Sequence, residues 1–81
     1  MRTKRTTDIA VGRRAAQEVD RLFPGKKQAL LALGCGKHTV NEWRNGIAPS
    51  AYYLIRLAEL GADVMWILRG RKGSHDGNTA Q

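Results

Sequence analysis

A run of polar side chains with both donors and acceptors stands between residues 37 and 45 of this 81-residue sequence. If the segment forms an α-helix, most of its polar side chains fall on one side of that helix. These are His38, Asn41, Glu42 and Asn45, with Lys37 at the edge. Val40 and Trp43 fall on the opposite side, where they can anchor a helix on an apolar core. A helix with such a polar side fits the major groove of DNA, because each base pair shows a distinct pattern of donors and acceptors there.

The rest of the sequence offers no arrangement typical of catalysis. It contains no recognisable Ser/His/Asp or Cys/His nucleophile set, no paired carboxylates and no glycine-rich phosphate loop. Cys35 and His38 are three residues apart, but two candidate ligands without a second pair do not predict a metal site. We therefore expect no enzymatic activity, no metal and no cofactor, and we expect Cys35 to be a small buried residue of a turn.

Length and composition narrow the class of protein. The 81 residues predict one small domain, and 42% apolar residues are enough for a core. No apolar run exceeds five residues, as in Ala29–Leu33 and Val64–Leu68, whereas a membrane-spanning helix needs about 20. No apolar stretch follows Met1 as it does in a secretory signal. Together with the single Cys35, these features predict a cytoplasmic protein.

The positive charge is unevenly distributed along the chain. The formal net charge is +7, of which residues 1–46 carry +6 and residues 47–70 carry none. Such an excess makes a polyanion the first partner to consider. Solvated charge that keeps the protein soluble explains the composition about equally well. The choice between a polyanion partner and solubility therefore depends on the sequence motif, not on the composition.

Apolar residues at helical spacing, interrupted by Gly and Pro, predict five short helices. Thr7 or Asp8 can cap the first helix and Asp63 the fifth, while Pro24 disfavours α geometry at Phe23. The predicted helices are Asp8–Leu22, Lys26–Leu33, Lys37–Asn45, Ser50–Leu60 and Val64–Arg69. We therefore expect an all-α domain over residues 7–70, with a flexible basic arm at 1–6 and a disordered tail at 71–81.

The second and third predicted helices are separated by only three residues. Gly34 can adopt a left-handed conformation at little cost, so the chain can turn within Gly34-Cys35-Gly36. This turn brings the two helices together at a steep angle, which is the helix-turn-helix arrangement.

With these residues in place, the sequence from about residue 25 to 70 resembles the lambda-repressor-like helix-turn-helix family, of the XRE, Cro and phage repressor type. The resemblance is carried by Leu33-Gly34-Cys35-Gly36, Val40, Trp43, Asn45-Gly46, Ile47-Ala48-Pro49, the Leu-rich fourth helix and the segment 61–70. One feature departs from the family, which usually has a large apolar residue and then Ala within the first motif helix. Here the order is Ala29-Leu30, which would alter the crossing angle or shift the correspondence by one residue.

The resemblance implies that the third helix reads base pairs. Its base-reading positions correspond to Lys37, His38 and Asn41, with Glu42 accepting from cytosine N4 or orienting Lys37 or Arg44. Lys can donate to guanine O6 and N7, and Asn can pair with adenine through two hydrogen bonds. Alternatively, His38 and Lys37 are ordinary solvated side chains, and only their place in the motif favours base contacts.

The resemblance also implies contacts to the DNA backbone. The phosphate-contacting positions correspond to Lys26, Lys27, Gln28, Arg44 and Asn45. The amino end of the second helix would favour phosphate in any case. Arg2, Lys4 and Arg5 correspond to an arm that follows the backbone or enters an adjacent groove.

The fifth predicted helix is apolar on all sides. A monomer of this size can cover only one side of it, and large exposed apolar patches usually mark interfaces. We therefore predict a homodimer whose interface contains Met65, Trp66, Ile67, Tyr52 and Tyr53. In the alternative, Trp66 and Ile67 fold back under the first helix.

The sequence thus predicts a transcriptional regulator that binds a specific double-stranded DNA operator. We expect a phage- or prophage-type repressor, cytoplasmic and nucleoid-associated, acting as a homodimer on a pseudo-palindromic site. An activator of the same fold and an antitoxin-like protein-interaction module are the alternatives. A membrane-surface peptide is disfavoured because the basic residues form no single amphipathic stripe. No small-molecule ligand is evident from the sequence.

Overall fold

The computed structural model describes residues 6–70, and all of the regular secondary structure in this range is helical. The five helices are α1 (Thr6–Leu22), α2 (Lys26–Leu33), α3 (Lys37–Arg44), α4 (Ala51–Glu59) and α5 (Val64–Arg69). The all-α prediction is confirmed for this part of the chain, and α2 and α5 have the predicted bounds. No helix within residues 6–70 has the length and apolar character to cross a membrane.

The remaining differences lie at helix ends. α1 begins at Thr6, two residues before the predicted Asp8, so the last residue assigned to the arm belongs to this helix. α3 ends one residue earlier than predicted, and α4 is shorter by one residue at each end. The predicted arm contacts at Arg2, Lys4 and Arg5 and the predicted tail at 71–81 lie outside the described residues.

α1 is the central helix, and it packs most extensively against α3 and α5. Its buried side is made of small residues: Val11, Gly12, Ala15, Ala16 and Val19, beside the carboxylate of Glu18. A Cβ atom added at Gly12 would lie 2.6 Å from the carbonyl oxygens of both Trp43 and Ile47. Only glycine allows the backbone of α1 to approach the end of α3 this closely.

The core is assembled from all five helices. Its largest fully buried side chains are Leu33, Leu57 and Ile67. Val40 and Trp43 are buried as predicted, and the Trp43 ring meets the Tyr53 ring edge-on, with centroids 5.6 Å apart. Because these two residues anchor one side of α3, its other side is left to solvent.

Arginine side chains from other helices cover two helix carboxyl ends. The Arg14 Nε on α1 donates to the Ile67 carbonyl at 2.9 Å, and the Arg56 Nε on α4 donates to the Ala32 carbonyl at 3.2 Å. The last carbonyls of a helix have no partner within it, so these bonds stabilise the ends of α5 and α2. At the amino end of α5, the predicted Asp63 cap is confirmed, since its Oδ1 accepts from the Trp66 amide at 2.9 Å.

Glu18 ties α1 to the start of α5. Glu18 is only 6% exposed, and its carboxylate accepts from Arg21 Nε and Nη2 at 2.9 Å each and from the Asp63 amide at 2.8 Å. The hydrogen bonds from Arg21, followed by the one from Asp63, hold the pKa of Glu18 below its usual value despite the opposing effect of burial. We call the residues that join these two helices, Arg14, Glu18, Arg21 and Asp63, the α1–α5 junction.

The structure corrects part of the predicted dimer interface. Ile67 is completely buried because this side of α5 faces α1, so it cannot contact a partner. Trp66 and Tyr53 are half-buried and pack against the core. Met65 and Tyr52 are exposed as the prediction requires, and the structure adds the exposed apolar side chains of Leu68 and Ile55.

Candidate nucleic-acid interface

α2 and α3 are two eight-residue helices joined by a turn of three residues. Gly34 has a φ of 72°, and its amide donates to the Leu30 carbonyl at 2.8 Å. The Cys35 amide donates to the same carbonyl at 3.2 Å. This left-handed ending turns the chain away from α2 at once, so that α3 can begin at Lys37.

The solvent side of α3 carries all four residues that are predicted to contact bases. Lys37, His38, Asn41 and Glu42 are all exposed. Within residues 6–70, the side chains of Lys37, His38 and Glu42 have no hydrogen bond or ion pair. Glu42 therefore does not orient Lys37 or Arg44 in this structure, and the donors of this surface are available to a partner.

Arg44 is placed differently from its neighbours. Its Nη2 donates to Asp20 Oδ1 on α1 at 2.7 Å, and its Nη1 donates to Asn41 Oδ1 at 3.4 Å. The predicted phosphate contact is thus engaged by a carboxylate of the chain itself. Both side chains of the ion pair are solvent-exposed, so exchanging Asp20 for a phosphate group would cost little.

The amino ends of α2 and α3 have no capping side chain. Both N-cap residues, Gly25 and Gly36, lack a side-chain oxygen, and neither helix has an acidic residue in its first turn. Each helix instead begins with an exposed lysine, Lys26 or Lys37. A lysine at the positive end of a helix is mildly unfavourable, and the free amides there favour binding of an anion.

Lys27 and Gln28 follow Lys26 in the first turn of α2, and both are exposed. We call the exposed polar residues of the two helices the α2–α3 face: Lys26, Lys27, Gln28, Lys37, His38, Asn41 and Glu42. Asn45 is exposed immediately after α3, where its amide donates to the Asn41 carbonyl at 3.0 Å. Of the predicted base-reading and phosphate-contacting positions, the structure brings Lys26, Lys37, Asn41 and Arg44 together around one cleft.

A cleft that sequence analysis missed lies between α1, α2 and α3. It has a volume of about 100 Å³ and is lined by Val19, Lys26, Ala29, Leu30, Lys37, Val40, Asn41 and Arg44. α2 and α3 make few direct contacts with each other. Buried Ala29 and half-buried Leu30 both line the cleft, so the unusual Ala29-Leu30 order was the one signal in the sequence.

Cys35 lies in the turn between α2 and α3. The residue is half-buried, and burial raises the pKa of its thiol, although a hydrogen bond with Thr39 opposes the shift. A protonated thiol is a poor nucleophile and a poor metal ligand. Among residues 6–70 there is no group of three or more His, Cys, Asp or Glu side chains that could hold a metal ion.

Comparisons with protein-family models, curated proteins and solved structures find no match for this chain. The likeness of residues 25–70 to lambda-repressor-like domains therefore remains a resemblance of motif residues. The α2–α3 face and the cleft beside it are the features from which a function can be inferred.

Proposed function

We propose that this protein is a sequence-specific double-stranded DNA-binding transcriptional regulator, a repressor of phage or prophage type. The observation that carries the proposal is the α2–α3 face, where exposed donors and lysines coincide with two uncapped helix amino ends. Val40 and Trp43 fix α3 from behind, so its polar side is presented by a rigid element. Rigid presentation of donors is what sequence discrimination in the major groove requires.

In this proposal α2 and α3 act as a helix-turn-helix unit. α3 enters the major groove, where Lys37, His38 and Asn41 meet base edges. Lys26 and Lys27, with the free amides at the start of α2, meet the phosphate backbone. Arg44 leaves Asp20 and joins the phosphate contacts, and repression follows from covering a promoter.

A homodimer is part of the proposal because a single short helix reads few base pairs. The exposed apolar side chains of Met65 and Leu68 on α5, together with Tyr52 and Ile55 on α4, supply the partner surface. A two-fold axis would place two copies of α3 in successive major grooves, about 34 Å apart.

Selection of bound duplexes from a random pool tests the DNA proposal. We expect enrichment of a pseudo-palindrome whose half-sites lie about one helical turn apart. Asn41→Ala should lower affinity for the selected site by about 10- to 100-fold and change binding to random DNA little, whereas Gln17→Ala, an exposed amide on α1, should change neither. If no sequence is enriched, the DNA proposal is wrong, and the exposed apolar side chains would then favour the protein-interaction module.

The dependence of binding on salt tests the phosphate contacts. Lys26→Gln and Lys27→Gln should each reduce the slope of log K against log salt by about one unit. Arg69→Gln removes an exposed charge at the far end of α5 and should leave the slope unchanged. An equal reduction in all three variants would assign the effect to net charge rather than to contacts on α2.

Sedimentation tests the dimer. Leu68→Lys places a charge on an exposed position of α5, so it should give a monomer without unfolding the chain. Leu68 is a better choice than Trp66, which packs against the core. A wild-type chain that sediments as a monomer at micromolar concentration would contradict the proposed dimer.

A further inference from the structure

We propose that the cleft between α1, α2 and α3 is a binding site for a small amphipathic anion, a carboxylate or phosphate attached to a compact apolar group. The cleft combines an apolar floor with a cationic rim. The floor consists of Val19, Ala29, Leu30 and Val40, and the rim consists of Lys26, Lys37, Asn41 and Arg44.

The floor sets the size and character of the apolar part. Its volume of about 100 Å³ is somewhat smaller than the ~150 Å³ apolar cavity that can hold benzene. Because the cleft is open on one side, a ring or a branched chain of similar size can enter with one edge exposed. Val19, Ala29 and Val40 have little exposed surface in the absence of a ligand. A ligand would therefore cover mainly Leu30, together with the small exposed parts of these three side chains.

The rim sets the charge of the ligand. Three of its four side chains are cations, and the described residues that line the cleft include no carboxylate. Within residues 6–70, Lys26 and Lys37 have no ion-pair partner, and both stand at uncapped helix amino ends. Arg44 is held beside the cleft by Asp20, and its Nη1 donates to Asn41 Oδ1. Because the Asn41 oxygen is used in this way, the amide nitrogen of Asn41 is the neutral donor of the rim.

The floor distinguishes a small amphipathic anion from the DNA backbone. A phosphate of a duplex can reach the lysines of the rim from outside. It carries no compact apolar group that would cover Leu30 and Val40, so the floor would stay hydrated. A ligand with both parts satisfies the floor and the rim together.

The position of the cleft implies regulation. Lys26, Lys37, Asn41 and Arg44 line the cleft and are also proposed DNA contacts, so the same side chains cannot serve both partners fully. The anion would therefore act as an inducer that lowers operator affinity. This regulatory step rests on the proposed DNA-binding function, whereas the binding site itself does not.

Benzoate and phenyl phosphate are suitable probes, followed by amide chemical shifts in the full chain. We expect saturable shifts at Val19, Ala29, Leu30 and Val40, with a Kd on the order of 1 mM for a ligand of this size. Benzyl alcohol keeps the ring without the charge, and inorganic phosphate keeps the charge without the ring. Both should bind at least about fivefold more weakly, because each meets only half of the site.

Adjacent lysines on α2 provide a matched pair of variants. Lys26 lines the cleft and Lys27 does not, although both are exposed. Lys26→Gln should weaken benzoate binding about fivefold, within the range of a partly exposed charged contact, and Lys27→Gln should leave it unchanged. Equal weakening by both variants, or binding of inorganic phosphate as tight as that of benzoate, would overturn the site.

Competition with a selected duplex tests the regulatory step separately. Benzoate at several times its Kd should lower operator affinity in the wild-type chain, and this effect should shrink in Lys26→Gln. Benzoate that binds without displacing the operator would overturn the inducer role. A chain that binds no DNA would overturn the proposed function, while the chemical shifts would still decide whether the cleft is a site.

Discussion

The α1–α5 junction and the α2–α3 face are both rich in charge, but they use it differently. At the junction, Glu18 has hydrogen bonds to Arg21 and to the Asp63 amide, and Arg14 covers the carboxyl end of α5. On the α2–α3 face, Lys26 and Lys37 have no ion-pair partner within residues 6–70. Even the helix amino ends differ, since Asp63 caps α5 and only glycines precede α2 and α3.

This difference shows which charges belong to the fold and which are left for a partner. A net charge of +7 gives no such distinction, because it counts Arg14 and Lys37 alike. The geometry separates them: removing Arg14 exposes carbonyls of the chain itself, whereas removing Lys37 leaves no described group without its partner. Substitutions at the junction should therefore change folding, and substitutions on the face should change binding.

The largest expected effect is at Gly12, where α1 closely approaches the backbone at the end of α3. Gly12→Ala should lower the free energy of unfolding by about 2–3 kcal/mol, because the new Cβ would overlap the carbonyl oxygens of Trp43 and Ile47. Urea denaturation measures the loss. At Gly25 a Cβ would meet nothing closer than 3.9 Å, so Gly25→Ala should cost less than about 1 kcal/mol. A more stable Gly12→Ala chain, as helix propensity alone predicts, would contradict the close approach of α1 and α3.

The next effect compares Glu18 with Glu59, two carboxylates that each form an ion pair with an arginine three residues away in the sequence. Glu18→Ala should cost about 1–2 kcal/mol of unfolding free energy, because the Asp63 amide and Arg21 lose a largely buried acceptor. Glu59→Ala removes an exposed partner of Arg56 and should cost less than about 0.5 kcal/mol. Equal losses in the two variants, measured in urea, would mean that Glu18 does not hold α5 on α1.

The same carboxylate predicts a dependence of stability on pH. The pKa of Glu18 is lowered in the folded chain, so the unfolded chain binds more protons. Its contribution is therefore fully present above the ordinary Glu value of about 4.3 and is lost as pH falls through the lowered value. Unfolding free energies between about pH 6 and about pH 2.5 should show this loss, and Glu18→Gln should make the profile shallower. An unchanged profile in that variant would assign acid sensitivity to other carboxylates.

The smallest expected effect tests the uncapped end of α3 directly. Gly36 has a φ of −91°, and a Cβ atom added there would meet only open space, so this position can accept a side chain. Gly36→Asp should raise the free energy of unfolding by about 0.5 kcal/mol through the helix dipole, and it should weaken DNA binding severalfold by repelling phosphate.

Gly36→Asn is the matched control for this variant, because it offers a similar cap without the charge. It should keep most of the stability and lose less of the affinity. If Gly36→Asp binds DNA as tightly as the wild type, the amino end of α3 does not lie near phosphate. Thermal unfolding and fluorescence anisotropy supply the two measurements.

Local features of the fold could be predicted from the sequence. The bounds of α2 and α5, the Asp63 cap and the burial of Val40 and Trp43 follow from glycines, a short polar side chain and helical spacing. The bonds of Arg14 to Ile67 and of Glu18 to Asp63 could not, because they join residues 53 and 45 positions apart. Their charges look solvated in a sequence, and only tertiary packing pairs them.

The errors in the predicted surfaces have a similar cause. A helix of six residues that is apolar all round does not reveal which side faces the core, so the sequence pattern assigns Ile67 to a partner although it is buried. The cleft could not be predicted from the sequence because three helices contribute to it. The Ala29-Leu30 order indicates altered packing but not a cavity. The burial and exposure of residues along α3 were predicted correctly, whereas features that depend on the placement of a second helix were not.

The shortness of α5 determines when its outer surface can exist. Isolated helices shorter than about 12–15 residues are marginal in water, and α5 has only six. Its helical form therefore depends on docking against α1, with Asp63 and Arg14 closing its two ends. The outward-facing Met65 and Leu68 acquire a fixed spacing only after that docking step. Self-association through them would thus come after folding in time, and a nascent or partly unfolded chain would have no such surface with which to pair prematurely.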